Sequence, residues 1–209
     1  TTNNTNPVAA DRLLEEIEGG VPVPTASPDA TRACFGAGCY WGTEKYFYHD
    51  FGKKNQTGAI TDGRVGFMGP DHAPKDPTYK EVKGGYTSHV EVFEFEYSGG
   101  RAYYEALVRF FFQFHDPTTL NRQGNDVGTQ YRSAIFPTDD AQRAEAEAAI
   151  ARWNADHSGQ QAVTTIEGPA EWYPAEDYHQ EYWEGEGQRN PYCLAVIPPK
   201  LAKLQKGFA

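Results

Sequence analysis

The segment from Thr31 to Gly42 constrains this chain more than any other, because it sets a cysteine directly behind a glycine turn. Thr31 to Phe35 reads as a short strand, Gly36-Ala37-Gly38 as a tight turn, and Cys39 opens a helical run to about Phe51. A cysteine at a helix N-terminus meets unpaired backbone N–H groups and the positive end of the helix dipole. Both favour the thiolate, so a lowered thiol pKa and a nucleophilic Cys39 are expected. Tyr40 and Trp41 supply an apolar, sulfur-friendly wall, and Gly36 and Gly38 leave room for a ligand to approach. The bland alternative is an ordinary buried thiol.

The rest of the chain alternates irregularly. Residues 1–30 are rich in Thr, Asn, Pro and Gly around one helical patch, Ala9 to Ile17, and read as an N-terminal arm. Residues 31–209 read as a single catalytic domain with a C-terminal tail. Gly52 to Gly85 reads as a long loop, Val90 to Tyr97 as a strand, and Leu107, Phe110, Phe111 and Phe114 as the buried stripe of a helix ending at Asp116-Pro117. Tyr131 to Phe136 and Ala162 to Glu167 read as strands, with an Ala-rich helix capped by Thr138 between them. A helical run near Asp177 to Glu184 precedes a strand-like Pro191 to Ile197 and a Lys-rich tail. The pattern predicts an α+β or two-layer α/β domain.

Composition removes several function classes. A net charge of -10 would repel a phosphate backbone, so no nucleic acid partner is expected. No apolar run reaches membrane-spanning length and the first residues lack the basic and apolar regions of a signal peptide, so a chain off the membrane, in the cytoplasm, is expected. Three cysteines leave at least one free thiol, which suits a reducing compartment. The six histidines lack metal-ligand spacing, and Gly42 falls one position too late for a dinucleotide fingerprint, so neither metal nor cofactor is expected.

Period-2 alternation along Val90 to Tyr97 places Glu91 on one face with Phe93, Phe95 and Tyr97. If that aromatic face is buried, Glu91 loses solvent, its pKa rises and it keeps a proton to donate; a strand-end glutamate in water is the alternative. Gly124-Asn125-Asp126-Val127-Gly128 is a turn that presents polar side chains.

Taken together, Gly38-Cys39-Tyr40-Trp41-Gly42, Asp76-Pro77-Thr78-Tyr79, His89-Val90-Glu91, His115-Asp116-Pro117, Gly124-Asn125-Asp126, Gly128-Thr129-Gln130-Tyr131-Arg132-Ser133 and Tyr178-His179-Gln180 resemble, in order and spacing, the A-type peptide methionine sulfoxide reductases. The resemblance covers about residues 31 to 200. It implies a two-layer sandwich with a mixed central sheet, a ferredoxin-like core with extended loops, and reduction of the S epimer of methionine sulfoxide, free or in oxidised proteins. By the same resemblance Cys39 is the nucleophile that becomes a sulfenic acid and Glu91 the acid. Tyr79 and Tyr131 hold the sulfoxide oxygen, Asp126 supports them, and Tyr40 and Trp41 receive the substrate methyl. Thioredoxin, or glutaredoxin or glutathione, is the implied reductant, and a monomer the implied state.

Two departures stand out. The family usually carries Phe at the position of Tyr40, so an added hydroxyl has to find a partner or reach water. Many members end in a mobile tail with recycling cysteines, whereas here only Cys193 is available, as a resolving thiol or as a merely buried one. Cys34 reads as a small apolar thiol in a strand. Two other classes stay open on the residues alone: a cysteine hydrolase with His89 or His179 as base, and a non-catalytic aromatic-lined binding module.

Overall fold

The computed structural model describes residues 31–53 and 60–207, with 52–53 and 201–207 as helix backbone only. The expected N-terminal arm, residues 1–30, lies outside the described residues. The chain runs through β1 (Thr31–Ala37), α1 (Tyr40–Glu44), a wider π-helical stretch (Lys45–Lys53), β2 (Ile60–Met68), α2 (Tyr79–Lys83), β3 (Val90–Tyr97) and α3 (Gly100–Phe114). There follow the small hairpin β4 (Arg122–Gln123) and β5 (Asp126–Val127), β6 (Ser133–Ile135), α4 (Asp140–Asp156), β7 (Thr165–Ile166), β8 (Trp172–Pro174) and α5 (Pro191–Gly207).

Six strands form one mixed sheet in the order β7-β6-β1-β3-β2-β8. β3 is antiparallel to both β1 and β2, β6 is antiparallel to β1, and β7 runs parallel to β6. α1 lies on the connection from β1 to β2 and α3 on that from β3 to β6, so the central β6-β1-β3-β2 has the ferredoxin-like connectivity. Helices pack on one face of this sheet, which makes the two-layer architecture.

The core follows from strand alternation. Phe35 of β1 and Phe93 and Phe95 of β3 point at the helices, where they meet Phe47, Phe111 and Phe114. Phe35 stacks on Phe47 with ring centroids 4.9 Å apart, and each buried aromatic of this kind contributes about 1.5–3 kcal/mol. The opposite face carries a smaller cluster of Cys34, Met68, Val90, Val92, Ala134 and Phe136, covered in part by Trp172. Cys34 sits there with its sulfur 3.3 Å from that of Met68, as a small strand thiol should.

Several local expectations are corrected. The segment from Gly52 to Gly85 is not a structureless loop, since it contains β2 and α2. Gly63 and Gly66 blur the alternation of β2, and packing requires both. A Cβ on Gly66 would lie 2.3 Å from the Tyr173 carbonyl oxygen of β8, and one on Gly63 would lie 2.4 Å from the Phe93 ring. The helical run expected from Cys39 to about Phe51 is present, but it is α-helical only over Tyr40–Glu44 and widens to a π-helix over Lys45–Lys53. The cap of α4 is Asp139, whose side chain accepts the Gln142 N–H, rather than Thr138.

The segment from Pro191 to Ile197 is the start of α5, not a strand. Asn190 Oδ1 accepts the backbone N–H groups of Tyr192 at 2.9 Å and Cys193 at 3.5 Å, and Pro191, with no N–H to lose, takes the first helical position. What reads as a Lys-rich tail therefore continues as helix to Gly207.

Candidate active site

β1 ends by delivering Cys39 to the mouth of the fold. Gly38 takes φ +90°, and a Cβ there would lie 2.7 Å from the Gln123 side chain, so only glycine makes this turn without strain. Cys39 is the N-cap of α1, and its carbonyl accepts the Gly42 N–H at 3.1 Å.

Directly behind it lies Glu91. Its strand face is the buried one: Phe93 and Phe95 are fully enclosed, and Glu91 itself is 1% exposed. Glu91 Oε2 accepts the Tyr40 backbone N–H at 3.1 Å, which ties the carboxyl to the first turn of α1. Burial raises its pKa to about 8, partly offset by that N–H, with Asp126 pushing it up and Lys83 drawing it down. Near neutral pH the group is a carboxylic acid with a proton to give.

The thiol departs from the sequence expectation. Cys39 is partly exposed as a residue, but enclosure of the sulfur raises its pKa well above the ordinary value. The negative charge of ionised Glu91 and that of Asp126 add to this, and the Trp41 N–H only partly opposes it. Desolvation of the sulfur thus outweighs what the helix N-terminus offers the thiolate. Tyr192 is a member of the site that sequence reasoning missed. From α5 it meets the Cys39 sulfur and donates its O–H to Asp126 Oδ2 at 2.5 Å. Burial raises the Asp126 pKa, while Tyr192 and Lys200 hold it down. Tyr192, Val196 and Lys200 are spaced four residues apart on α5 and line a crevice with Cys39 and Asp126.

Tyr79 and Tyr131 complete the polar side. Both are partly buried, and burial raises both hydroxyls, with further upward pressure from ionised Glu91 and Cys39, so both remain protonated donors. Tyr79 opens α2, where Thr78 and Glu81 form a reciprocal capping box, and its N–H donates to Glu176 Oε1 at 3.2 Å. Tyr131 follows Gly128 in a single 3-10 turn.

The aromatic side is built on Trp41. Its indole N–H donates to His179 Nδ1 at 3.2 Å, and its ring lies face to face with Tyr182 at 3.9 Å and 12°. Tyr40 is fully buried between Phe67, Tyr79 and His179, and its hydroxyl meets no hydrogen-bonding partner among the described residues. The added hydroxyl thus finds neither of the two outcomes expected for it.

Comparison with known proteins agrees with this geometry. The family model described as "Peptide methionine sulfoxide reductase" matches residues 31–209. The chain belongs to the peptide methionine sulfoxide reductase family. It is 50% identical over 177 residues to peptide methionine sulfoxide reductase MsrA of Erwinia tasmaniensis, covering 85% of this chain and 94% of that one. It is 41% identical to MsrA of Chromobacterium violaceum, covering 85% and 96%. Among solved structures, reduced Mxr1 of Saccharomyces cerevisiae superposes with a TM-score of 0.68 at 34% identity, over 79% of this chain and 91% of that one. Methionine sulfoxide reductase A of Corynebacterium diphtheriae gives 0.62 at 32%, over 81% and 82%. The protein is therefore an oxidoreductase of the MsrA family.

Within that MsrA fold, the described residues bring Cys39, Glu91, Tyr79, Tyr131, Asp126, Tyr40 and Trp41 into one neighbourhood. Cys193 lies behind this crevice, in the core. It is fully enclosed beside Ile197 on the core side of α5, and burial raises its thiol to about 11. Of the two histidines considered as hydrolase bases, His179 accepts from Trp41, and His89 is buried against the Tyr173 ring just before β3, with a lowered pKa. Tyr192 and Lys200 were legible only through helical spacing, which a strand reading of Pro191 to Ile197 conceals.

Proposed function

We propose that this protein reduces the S epimer of methionine sulfoxide, free or in oxidised proteins, through a sulfenic acid on Cys39. The carrying observation is the buried, protonated Glu91 tied to the residue next to Cys39. A sulfoxide sulfur is a poor electrophile until its oxygen takes a proton or strong hydrogen bonds. In this reading Glu91 gives that proton while the hydroxyls of Tyr79 and Tyr131 hold the oxygen, and the substrate methyl rests on Trp41, with Tyr40 packed beneath.

The high thiol pKa means that Cys39 must lose its proton as it attacks. The thiol proton passes to the Tyr192 oxygen while the Tyr192 proton passes to Asp126, which the short hydrogen bond between these two favours. The Cys39 sulfur gives two electrons to the sulfoxide sulfur. The oxygen leaves on Cys39 as S–OH, and methionine is released. A second thiol then displaces water from the sulfenic acid to form a disulfide, which a further thiol reduces.

Thioredoxin is the reductant we infer, with glutaredoxin or glutathione as the alternative; yeast Mxr1 has also been solved in complex with Trx2, a thioredoxin. The enclosure of Cys193 favours direct attack by the external thiol, since its own use would require the first turn of α5 to open. Thiol chemistry of this kind needs a reducing compartment such as the cytoplasm, where repair of oxidised proteins by a monomer is the role we infer.

The test is turnover of each sulfoxide epimer with excess dithiothreitol, by the parent and by Cys39→Ser. The S epimer is consumed by the parent alone. Consumption of the R epimer instead, or S-epimer turnover by Cys39→Ser, overturns the reading.

A further inference from the structure

Glu44 is 1% exposed on α1, three residues after Trp41, and the mechanism above gives it no part. A buried carboxylate is costly to keep, so its neighbours indicate what it is for. Glu44 Oε1 accepts the Glu181 N–H at 2.9 Å, and the Tyr182 N–H also hydrogen-bonds the carboxyl. Glu44 Oε2 meets no hydrogen-bond partner among the described residues. Glu181 holds φ +47°, in the left-handed region that a non-glycine residue adopts only when its surroundings compel it.

That strained turn carries Tyr182, whose ring covers Trp41. The other ties on Tyr182 lie beyond the turn: its carbonyl accepts the Gly187 N–H at 2.7 Å, and its hydroxyl accepts from Asn190 Nδ2 at 3.0 Å. Trp41 and Glu44 leave the same side of α1, so one helix supplies both the ring that Tyr182 stacks on and the carboxyl that grips its backbone.

We propose that Glu44 is a positioning residue for the substrate wall: by clamping the Glu181–Tyr182 backbone it holds the Tyr182 ring on Trp41 and sets the pocket that receives the sulfoxide methyl. This rests on Trp41 being that wall. Burial raises the Glu44 carboxyl to about 7, and the two N–H groups oppose this, as a clamp that works through hydrogen bonds requires.

The experiment is steady-state kinetics on methionine-S-sulfoxide with dithiothreitol for the parent, Glu44→Ala, Tyr182→Ala and the double variant. In Glu44→Ala, KM rises roughly tenfold, the loss expected when one apolar contact of a pocket is misplaced, while kcat stays within about threefold. In the Tyr182→Ala background the same change adds nothing, because Glu44 acts only through that ring. Unchanged KM in Glu44→Ala, or factors that multiply in the double variant, overturn the proposal. If Glu44→Ala does not fold, Glu44→Gln carries the test. It keeps one acceptor oxygen, so KM rises by a smaller factor, about threefold, in the parent background only; an equal rise in both backgrounds overturns the proposal. A parent that reduces neither epimer overturns the functional reading instead, and is distinguished by that.

Discussion

Glu91 Oε2 accepts the backbone N–H of Tyr40 at 3.1 Å, so the buried acid of β3 is fixed to the residue that follows the nucleophile. One hydrogen bond thus couples the sheet to the turn that carries Cys39. It also lowers a pKa that burial raises, leaving the group titrating at about 8.

Activity should fall as pH rises through about 8, because ionisation removes the proton Glu91 donates and places a negative charge beside the sulfur that must become a thiolate. Glu91→Gln should lower the single-turnover rate by about 10²–10⁴-fold and abolish that alkaline limb. A pH–rate profile of single turnover for both proteins checks this, and an unchanged rate in the variant removes Glu91 from the chemistry.

The same substitution should stabilise the fold. In the unfolded chain Glu91 ionises near the ordinary 4.5, in the folded one near 8, so stability is full below the lower value and is lost progressively as pH rises to the upper one. Urea unfolding at pH 5 and pH 9 should show Glu91→Gln gaining on the parent as pH rises. A gain confined to pH 5 contradicts the buried acid.

Tyr192→Phe should slow alkylation of Cys39 by iodoacetamide near neutral pH, since loss of the hydroxyl removes the oxygen through which the thiol proton passes to Asp126. It also leaves the Asp126 carboxylate without its short partner, and reduction should slow by about tenfold or more. Parent-like alkylation and turnover in this variant would exclude the Cys39, Tyr192 and Asp126 chain.

Tyr40→Phe should cost no stability and add up to about 1 kcal/mol, because it removes a buried hydroxyl with no partner among the described residues and leaves the ring contacts in place. Thermal unfolding reads this directly, and a loss above about 1 kcal/mol would show that the hydroxyl is satisfied in solution.

How much of this was legible in the sequence depends on where the signal was local. The alternation that sets Glu91 on the aromatic face and the glycine turn at Gly38 rest on neighbouring residues, and the structure shows both, although Gly36 and Ala37 do not belong to the turn but end β1, paired with Ala134 and Ser133. β2 was hidden because Gly63 and Gly66, needed for close contact with Phe93 and Tyr173, break its pattern. α5 is hidden because its apolar run from Leu194 to Ile197 fits a strand or a helix, and only the cap at Asn190 before Pro191 decides between them. With the helix went Tyr192 and Lys200. The thiol pKa departs for another reason: helix position is visible in sequence, whereas desolvation of the sulfur also depends on residues more than 150 positions away, such as Tyr192 and Lys200.

The most direct test of the account is the mass of the Cys39 peptide after one turnover with methionine-S-sulfoxide in the absence of reductant, trapped with dimedone and with a thiol alkylating agent. The account predicts one methionine released per protein and an oxidised Cys39, recovered as the dimedone adduct or in a disulfide. Release of methionine with Cys39 still alkylated as a free thiol would contradict it.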